Sequence, residues 1–239
     1  MLLSMTTMRT YGDGCAIAQA LDLVGERWAL LVVRELLLGP KRYTDLRRGL
    51  PNASPNVLSQ RLGELERAGV LRRRKLPPPA GSRVYELTEW GRELEQTVIS
   101  LGHWAARSPS GLASDAPVGV DSIILALRSR FDADAARGLL ARYELRLGED
   151  RFGIEVGGDE IQVARGSVEG ADARIDSDPD TLATVLWGGQ PLADAQRSGR
   201  MTIEGDKAAV KRFLRLFPMP EPVRAVSPAF RVTARPRGG

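Results

Sequence analysis

Between residues 54 and 104 the spacing of the apolar residues changes twice, and this narrows the possible folds more than any other feature of the chain. In SPNVLSQRLGELERAGVL, Leu58, Leu62 and Leu65 recur at helical spacing and, at ~100° per residue, gather on one side. Ser54 suits an N-cap, Pro55 the first helical position and Gly69 the stop. The following VLRRRKLPPPAGSRVYELT holds two short extended runs, 71–76 and 83–87, around a Pro-Gly turn, and so predicts a two-stranded hairpin. TEWGRELEQTVISLGHWA then returns to helical spacing, with Trp90, Leu94, Val98, Leu101 and Trp104 along one stripe.

Upstream, CAIAQALDLVGERWALLVVRELLLGP places Leu21, Val24, Trp28, Leu31 and Leu38 at helical spacings over a stretch too long for one helix. Gly25 is expected to divide it and Gly39-Pro40 to close it, since proline cannot continue a helix. KRYTDLRRGL reads as a short helix with Thr44, or a neighbour of Tyr43, as its N-cap. Helix, helix, helix, hairpin, helix is the order of an α+β winged helix-turn-helix, expected over residues 1–107.

Charge supports that reading by where it lies. Residues 41 to 85 carry eleven Lys or Arg against three Asp or Glu, a net +8, while the remainder of the chain is net −4. Local positive charge of this kind is the footprint expected of a nucleic-acid contact. On the helix after Ser54, the side opposite the leucines carries Asn56, Gln60, Gly63 and Arg67, with Ser59 beside them. Asn and Gln can pair bidentately with adenine and Arg with guanine. Gly63 allows close approach to a backbone, and the helix N-terminus at Ser54 suits a phosphate. The hairpin adds Arg72, Arg73, Arg74, Lys75 and Arg83, which strand alternation sends to both faces. The expected DNA contacts are Arg42, Thr44, Ser54, Asn56, Ser59, Gln60, Arg61, Arg67, Arg72, Arg74, Lys75 and Arg83.

Residues ~14–106 resemble the HxlR-type winged-helix regulators. The resemblance is carried by Gly14-Cys15, LDLVGERWALLVVRELLLGPKRYTDLRRGL, SPNVLSQRLGELERAGVLRR and YELTEWGREL with Trp104 after it. It implies a homodimer held by the terminal helices of this domain and repression or activation at an inverted-repeat operator in double-stranded DNA. Some members of the family sense oxidants or electrophiles, which makes Cys15 a candidate redox site, although Ala16 stands where the family commonly has a proline.

The run RSPSGLASDAPVG marks a linker over 108–118, and a Pro- and Arg-rich tail occupies 219–239. Between them, 119–218 read as a second α+β domain. A helix is expected in VDSIILALRSRF and short strands in RYELRLGED, RFGIEVGGD, EIQVARG and ADARIDS. Two short helices, the strand MTIEGD and a final helix follow. This order resembles the sterol-carrier-protein-like fold, with a mostly antiparallel sheet. The resemblance is carried by Ala173-Arg174-Ile175, Asp178 to Leu182, Leu186-Trp187-Gly188-Gly189, Ala195, Gly199-Arg200, Ile203-Glu204-Gly205-Asp206 and Phe213 to Phe217. It implies an apolar cavity for a hydrophobic small molecule, with Leu182, Val185, Leu186, Trp187 and Leu192 as candidate lining residues.

Other function classes find little support. There is no GxSxG, Walker loop or GxGxxG, and one cysteine with one histidine, His103, leaves almost no material for a metal site or a catalytic pair; Cys15 and His103 could meet only across a dimer, and nothing in the sequence fixes that geometry. No catalytic residue, cofactor or metal is expected. No stretch approaches the roughly 20 apolar residues of a membrane span, and MLLSMTTMRTYGDG lacks a basic region followed by an apolar one. A cytoplasmic, DNA-binding homodimer with a possible apolar ligand and no membrane contact is therefore the expectation. Its alternatives are a regulator switched through Cys15 and a hydrophobic-ligand carrier with incidental DNA affinity.

Overall fold

The computed structural model describes residues 10–108 and 116–223; residues 109–115 of the expected linker and 224–239 of the expected tail lie outside that range. The N-terminal half runs α1 (Ala16–Val24), α2 (Ala29–Leu37), α3 (Tyr43–Gly49), α4 (Pro55–Arg67), β1 (Leu71–Lys75), β2 (Arg83–Leu87), α5 (Glu89–Arg92) and α6 (Leu94–Ala106). Gly25 caps α1 and divides the long apolar stretch as expected. Ser54 Oγ accepts the Val57 N–H at 3.4 Å, and Pro55 opens α4. Gly69, at φ +76°, turns the chain out of that helix, a conformation a side chain would resist.

Two local details refine the sequence reading. Of the two N-caps expected for α3 the neighbour of Tyr43 holds: the helix begins at Tyr43 with Arg42 as N-cap, and the Asp45 carboxylate accepts the Arg42 N–H at 3.1 Å. The last helical stretch is split at Glu93 into α5 and α6. Thr88 holds the first piece: its hydroxyl accepts the Gly91 N–H at 3.0 Å and donates to the Gly69 carbonyl at 2.7 Å.

The stripe Leu58, Leu62 and Leu65 is fully buried against Val32, Val33, Leu36, Leu46, Leu71 and Leu87. Burying one such side chain contributes roughly 1.5–3 kcal/mol. This packing fixes the rotation of α4 and turns Asn56, Ser59 and Gln60 outward.

The C-terminal half comprises α7 (Val120–Arg130), β3 (Leu140–Leu147), β4 (Asp150–Gly157), β5 (Glu160–Arg165), β6 (Ala173–Ser177), α8 (Pro179–Trp187), α9 (Leu192–Arg197), β7 (Met201–Gly205) and α10 (Lys207–Arg215). Its sheet has the order β5-β4-β3-β6-β7, antiparallel at every pairing except the parallel β3–β6. Alternation sends Tyr143, Leu145, Phe152, Ile154 and Ile175 to the buried side. The same alternation puts Arg142, Arg146 and Arg174 on the other side, with Glu144 accepting Arg146 at 2.8 Å. Behind the sheet, Phe213 lies 4.9 Å from Tyr143 and 5.0 Å from Phe217, ring centre to ring centre.

Of the expected lining residues, Leu182 is fully buried in this core, and Val185, Leu186, Trp187 and Leu192 are half-buried against it. Trp187 is pinned at both its polar and its apolar parts. Its Nε1–H donates to the Phe217 carbonyl at 2.9 Å, and the Arg130 guanidinium lies 3.9 Å from its ring centre.

Gly91 marks the tightest approach in the N-terminal half: a Cβ there would sit 1.9 Å from the Val70 carbonyl oxygen. Gly91→Ala should therefore push α5 away from the start of β1 and cost about 1–3 kcal/mol, as overpacking typically does. Urea denaturation measures this, and a variant as stable as the parent would refute the tight contact.

Candidate nucleic-acid interface

Helix α4 presents Asn56, Ser59, Gln60 and Arg67 to solvent. A Cβ on Gly63 would meet nothing within 4 Å, so this face is open to an approaching backbone. Arg67 Nε donates to the Gly63 carbonyl at 3.2 Å, and Gln60 Nε2 to Glu64 at 2.9 Å. Tyr43 ties α3 to the start of α4: its hydroxyl donates to the Pro55 carbonyl at 3.1 Å and accepts the Ser59 hydroxyl at 3.3 Å. Tyr43 was not among the expected residues, although its place one turn before the basic end of α3 could have suggested it. Arg42 and Thr44 are exposed beside it, as are Arg47 and Arg48 farther along α3. The Ser54 hydroxyl is committed to capping its own helix, which leaves its contribution at the helix N-terminus to the main chain.

Arg61 departs from the expected set. It is 9% exposed and lies between two acids, in an ion pair with Glu64 and 3.5 Å from Glu26. Position 61 falls about 60° around the helix from Leu58, inside the buried arc. Its guanidinium therefore ties α4 to the α1–α2 connection rather than facing an outside partner.

The wing has the register Arg72↔Glu86, Arg74↔Val84 and Lys75↔Arg83. Glu86 is buried, and its two carboxylate oxygens take Arg72 Nε at 2.8 Å and Arg74 Nε at 2.9 Å. Arg73 pairs with Glu66 at 3.0 Å and lies over the Tyr85 ring. Lys75 and Arg83, opposite each other toward the tip, pair with no acid among the described residues. The wing thus carries two classes of cation, anchored and unanchored, which the sequence did not separate.

Away from this face, large apolar side chains remain exposed on α1, α5 and α6, notably Ile17 (72%), Trp90, Leu101 and Trp104 (73%). Cys15 is exposed at the N-cap of α1, its N–H donated to the Asp13 carboxylate at 2.9 Å. His103 Nδ1 lies 3.4 Å from the Ser129 carbonyl. Among the described residues no cluster of His, Cys, Asp or Glu could hold a metal ion, and no helix is long and apolar enough to cross a membrane.

Comparison with known proteins places the first half. Residues 23–110 match the family described as HxlR-like helix-turn-helix. The chain is 38% identical over 87 residues to the uncharacterized HTH-type transcriptional regulator YvaP of Bacillus subtilis (strain 168), covering 36% of this chain and 81% of that one. It is 35% identical over 86 residues to the HTH-type transcriptional regulator YodB of the same organism, covering 36% of this chain and 77% of that one. The solved structure of the reduced form of YodB from B. subtilis is 33% identical and covers 39% of this chain and 92% of that chain, with a TM-score of 0.36. The residues beyond 110 lie outside the family match.

Arg61→Ala should lower stability by about 1–3 kcal/mol, the cost of removing a charged hydrogen-bond partner at a buried site. Denaturant titration reads this directly. An unchanged midpoint would return Arg61 to the exposed, contact-making residues.

Proposed function

We propose that this chain, which belongs to the HxlR-like helix-turn-helix family, binds double-stranded DNA as a homodimer and regulates transcription at an inverted-repeat operator. The observation that carries this reading is the outward face of α4, where Asn56, Ser59, Gln60 and Arg67 stand beside a wing tipped by Lys75 and Arg83. A helix so placed can enter a major groove, with amide and guanidinium groups reading base edges while the wing meets phosphates or the adjacent minor groove. Arg42 and Thr44 at the start of α3 extend the phosphate-contacting surface. The exposed Ile17, Leu101 and Trp104 support the homodimer, since monomers rarely leave such side chains uncovered together.

The second domain is read as sterol-carrier-like, on its element order and mostly antiparallel sheet. The packing of Leu182, Trp187, Phe213 and Phe217 favours a filled version of that fold. Such a domain positions its neighbour rather than storing an apolar ligand.

Two measurements test the DNA-binding reading. Asn56→Ala and Gln60→Ala should each cost on the order of 1–3 kcal/mol in affinity for a site selected from random duplexes, with much less effect on scrambled DNA. Equal losses on both would reject base reading. Along the wing, Arg83→Ala should lower the slope of log affinity against log salt by about 0.9, one phosphate contact. Arg72→Ala should lower it by less, because Glu86 already neutralises part of that charge. A slope unmoved by either change would turn the wing to solvent.

A further inference from the structure

The two halves of the chain meet through charge, and one lysine sits at the junction. Lys41 lies between α2 and α3. Its main chain bridges Tyr85 of the wing strand β2 in both directions, N–H to carbonyl at 3.0 Å and carbonyl from N–H at 2.8 Å. Its ammonium group takes Glu35 of α2 at 2.6 Å and forms an ion pair with Asp121 of α7. Arg34 gives Glu35 a second cation at 2.8 Å. Arg165 of β5 pairs with both Asp121 and Asp150. Three acids and three bases thus close the junction with no net charge.

Both acids that Lys41 holds are 2% exposed. Burial pushes the Glu35 carboxyl up, but Lys41 and Arg34 together pull it below its ordinary value. At Asp121 burial prevails over Lys41 and Arg165, and the carboxyl is pushed up. Glu35 has no freedom to seek another partner: a Cβ on Gly49 would lie 2.1 Å from its carboxylate, so the end of α3 closes over it. A cleft of about 460 Å³ opens beside the cluster, lined from both halves, including Asp45 and Arg48 of α3 and Val120 of α7. Further contacts between the halves run through α6, such as Arg128 with Glu95 and the Ser129 carbonyl with His103, and do not touch the wing.

We propose that this cluster couples the C-terminal domain to the DNA-binding face: Asp121 holds Lys41, Lys41 holds the base of the wing, and a shift of α7 changes operator affinity. The inference rests on the DNA-binding reading above and names the route by which that site is regulated. A shift of α7 that breaks the Asp121–Lys41 pair leaves the buried Asp121 carboxylate with Arg165 alone and Lys41 with Glu35 alone, so the two positions of α7 differ in free energy at the wing, as regulation requires.

The test uses the full-length chain. Asp121→Asn removes the charge that Lys41 meets, while Asp150→Asn removes an equal charge from the same cleft and leaves Lys41 alone. Binding is measured on the duplex that wild type selects from a random pool and on its scrambled counterpart. Asp121→Asn should change the ratio of the two affinities by about fivefold or more, the lower range of allosteric coupling. Asp150→Asn should leave the ratio unchanged. If the two variants shift both duplexes alike, only net charge is at work and the proposal is overturned. If Asp121→Asn does not fold, Lys41→Arg, which keeps the charge but alters its reach, carries the same expectation. Should wild type select no site, the DNA-binding reading fails, and urea unfolding judges the coupling alone. One transition in wild type and Asp150→Asn with two separated transitions in Asp121→Asn supports it; one transition in all three overturns it.

Discussion

Helix α2 is buried on more than one side, and the arrangement around it follows from how that burial is completed. Ala29, Val32, Val33 and Leu36 enter the N-terminal core, while Leu38, just beyond the helix, packs against the C-terminal core. Apolar contacts alone would satisfy such a helix. Glu35, in the same turn as Leu36, changes the requirement, because a buried carboxylate left alone costs several kcal/mol. Arg34 and Lys41 meet that need, and Lys41 can do so only because Gly39, at φ +125°, turns the chain back toward the helix. The same turn brings the Lys41 main chain against β2. One buried acid therefore accounts for the path of the α2–α3 connection, the seat of the wing and the contact with α7.

Much of this architecture was legible in the sequence, because the apolar spacing leaves the helical period of α4 at the wing and returns to it in α6. Ser54-Pro55 and Gly69 then marked the ends of α4. In the second half, Gly- and Asp-rich turns separated strands that fall where the alternation put them. Position-level readings failed where burial and polarity disagree. Arg61 sits in a buried arc, yet its residue type argued for a surface role. Leu182 and Trp187 show a different limit: lining a cavity and filling one use the same residue types, so pattern alone cannot separate them. The Lys41–Asp121 pair, 80 residues apart in sequence, left no local signal at all. Within ALLVVRELL the adjacent Arg34 and Glu35 break an otherwise apolar helix, but nothing local ties them to Asp121.

Counting charge also overstates what the basic segment can offer a partner. Of its cations, Lys41, Arg61, Arg72, Arg73 and Arg74 each already meet an acid within the fold. Glu86 is the clearest case, holding Arg72 and Arg74 in a fixed fork from the opposite strand. Pairing of this kind weakens the field at a distance but orders the side chains, which lowers the entropy lost when one of them meets a phosphate. The field itself falls more to Lys75 and Arg83 at the wing, with Arg42, Arg47 and Arg67 around the two helices. The electrostatic surface is thereby narrower than the composition implies, and it is centred on α4 and the wing tip.

Helix α6 ties the remaining demands together, because it serves three neighbours at once. Leu94 and Val98 pack on the N-terminal core, Glu95 and His103 face α7 through Arg128 and Ser129, and Leu101 and Trp104 stay uncovered. A second copy of the chain seated on that last side would bury the same helix that α7 braces. A straight helix transmits a rotation along its length because its backbone hydrogen bonds are short and regular. Under the proposed coupling and homodimer, movement of α7 would have two paths to the DNA-facing surface: through Lys41 to the wing of one copy, and through α6 to the relative placement of two copies. The first path would change how a single wing is held, and the second the spacing between two recognition helices. Since half-sites in an inverted repeat lie at a fixed distance, a small change along the second path would act on both halves of such a contact together.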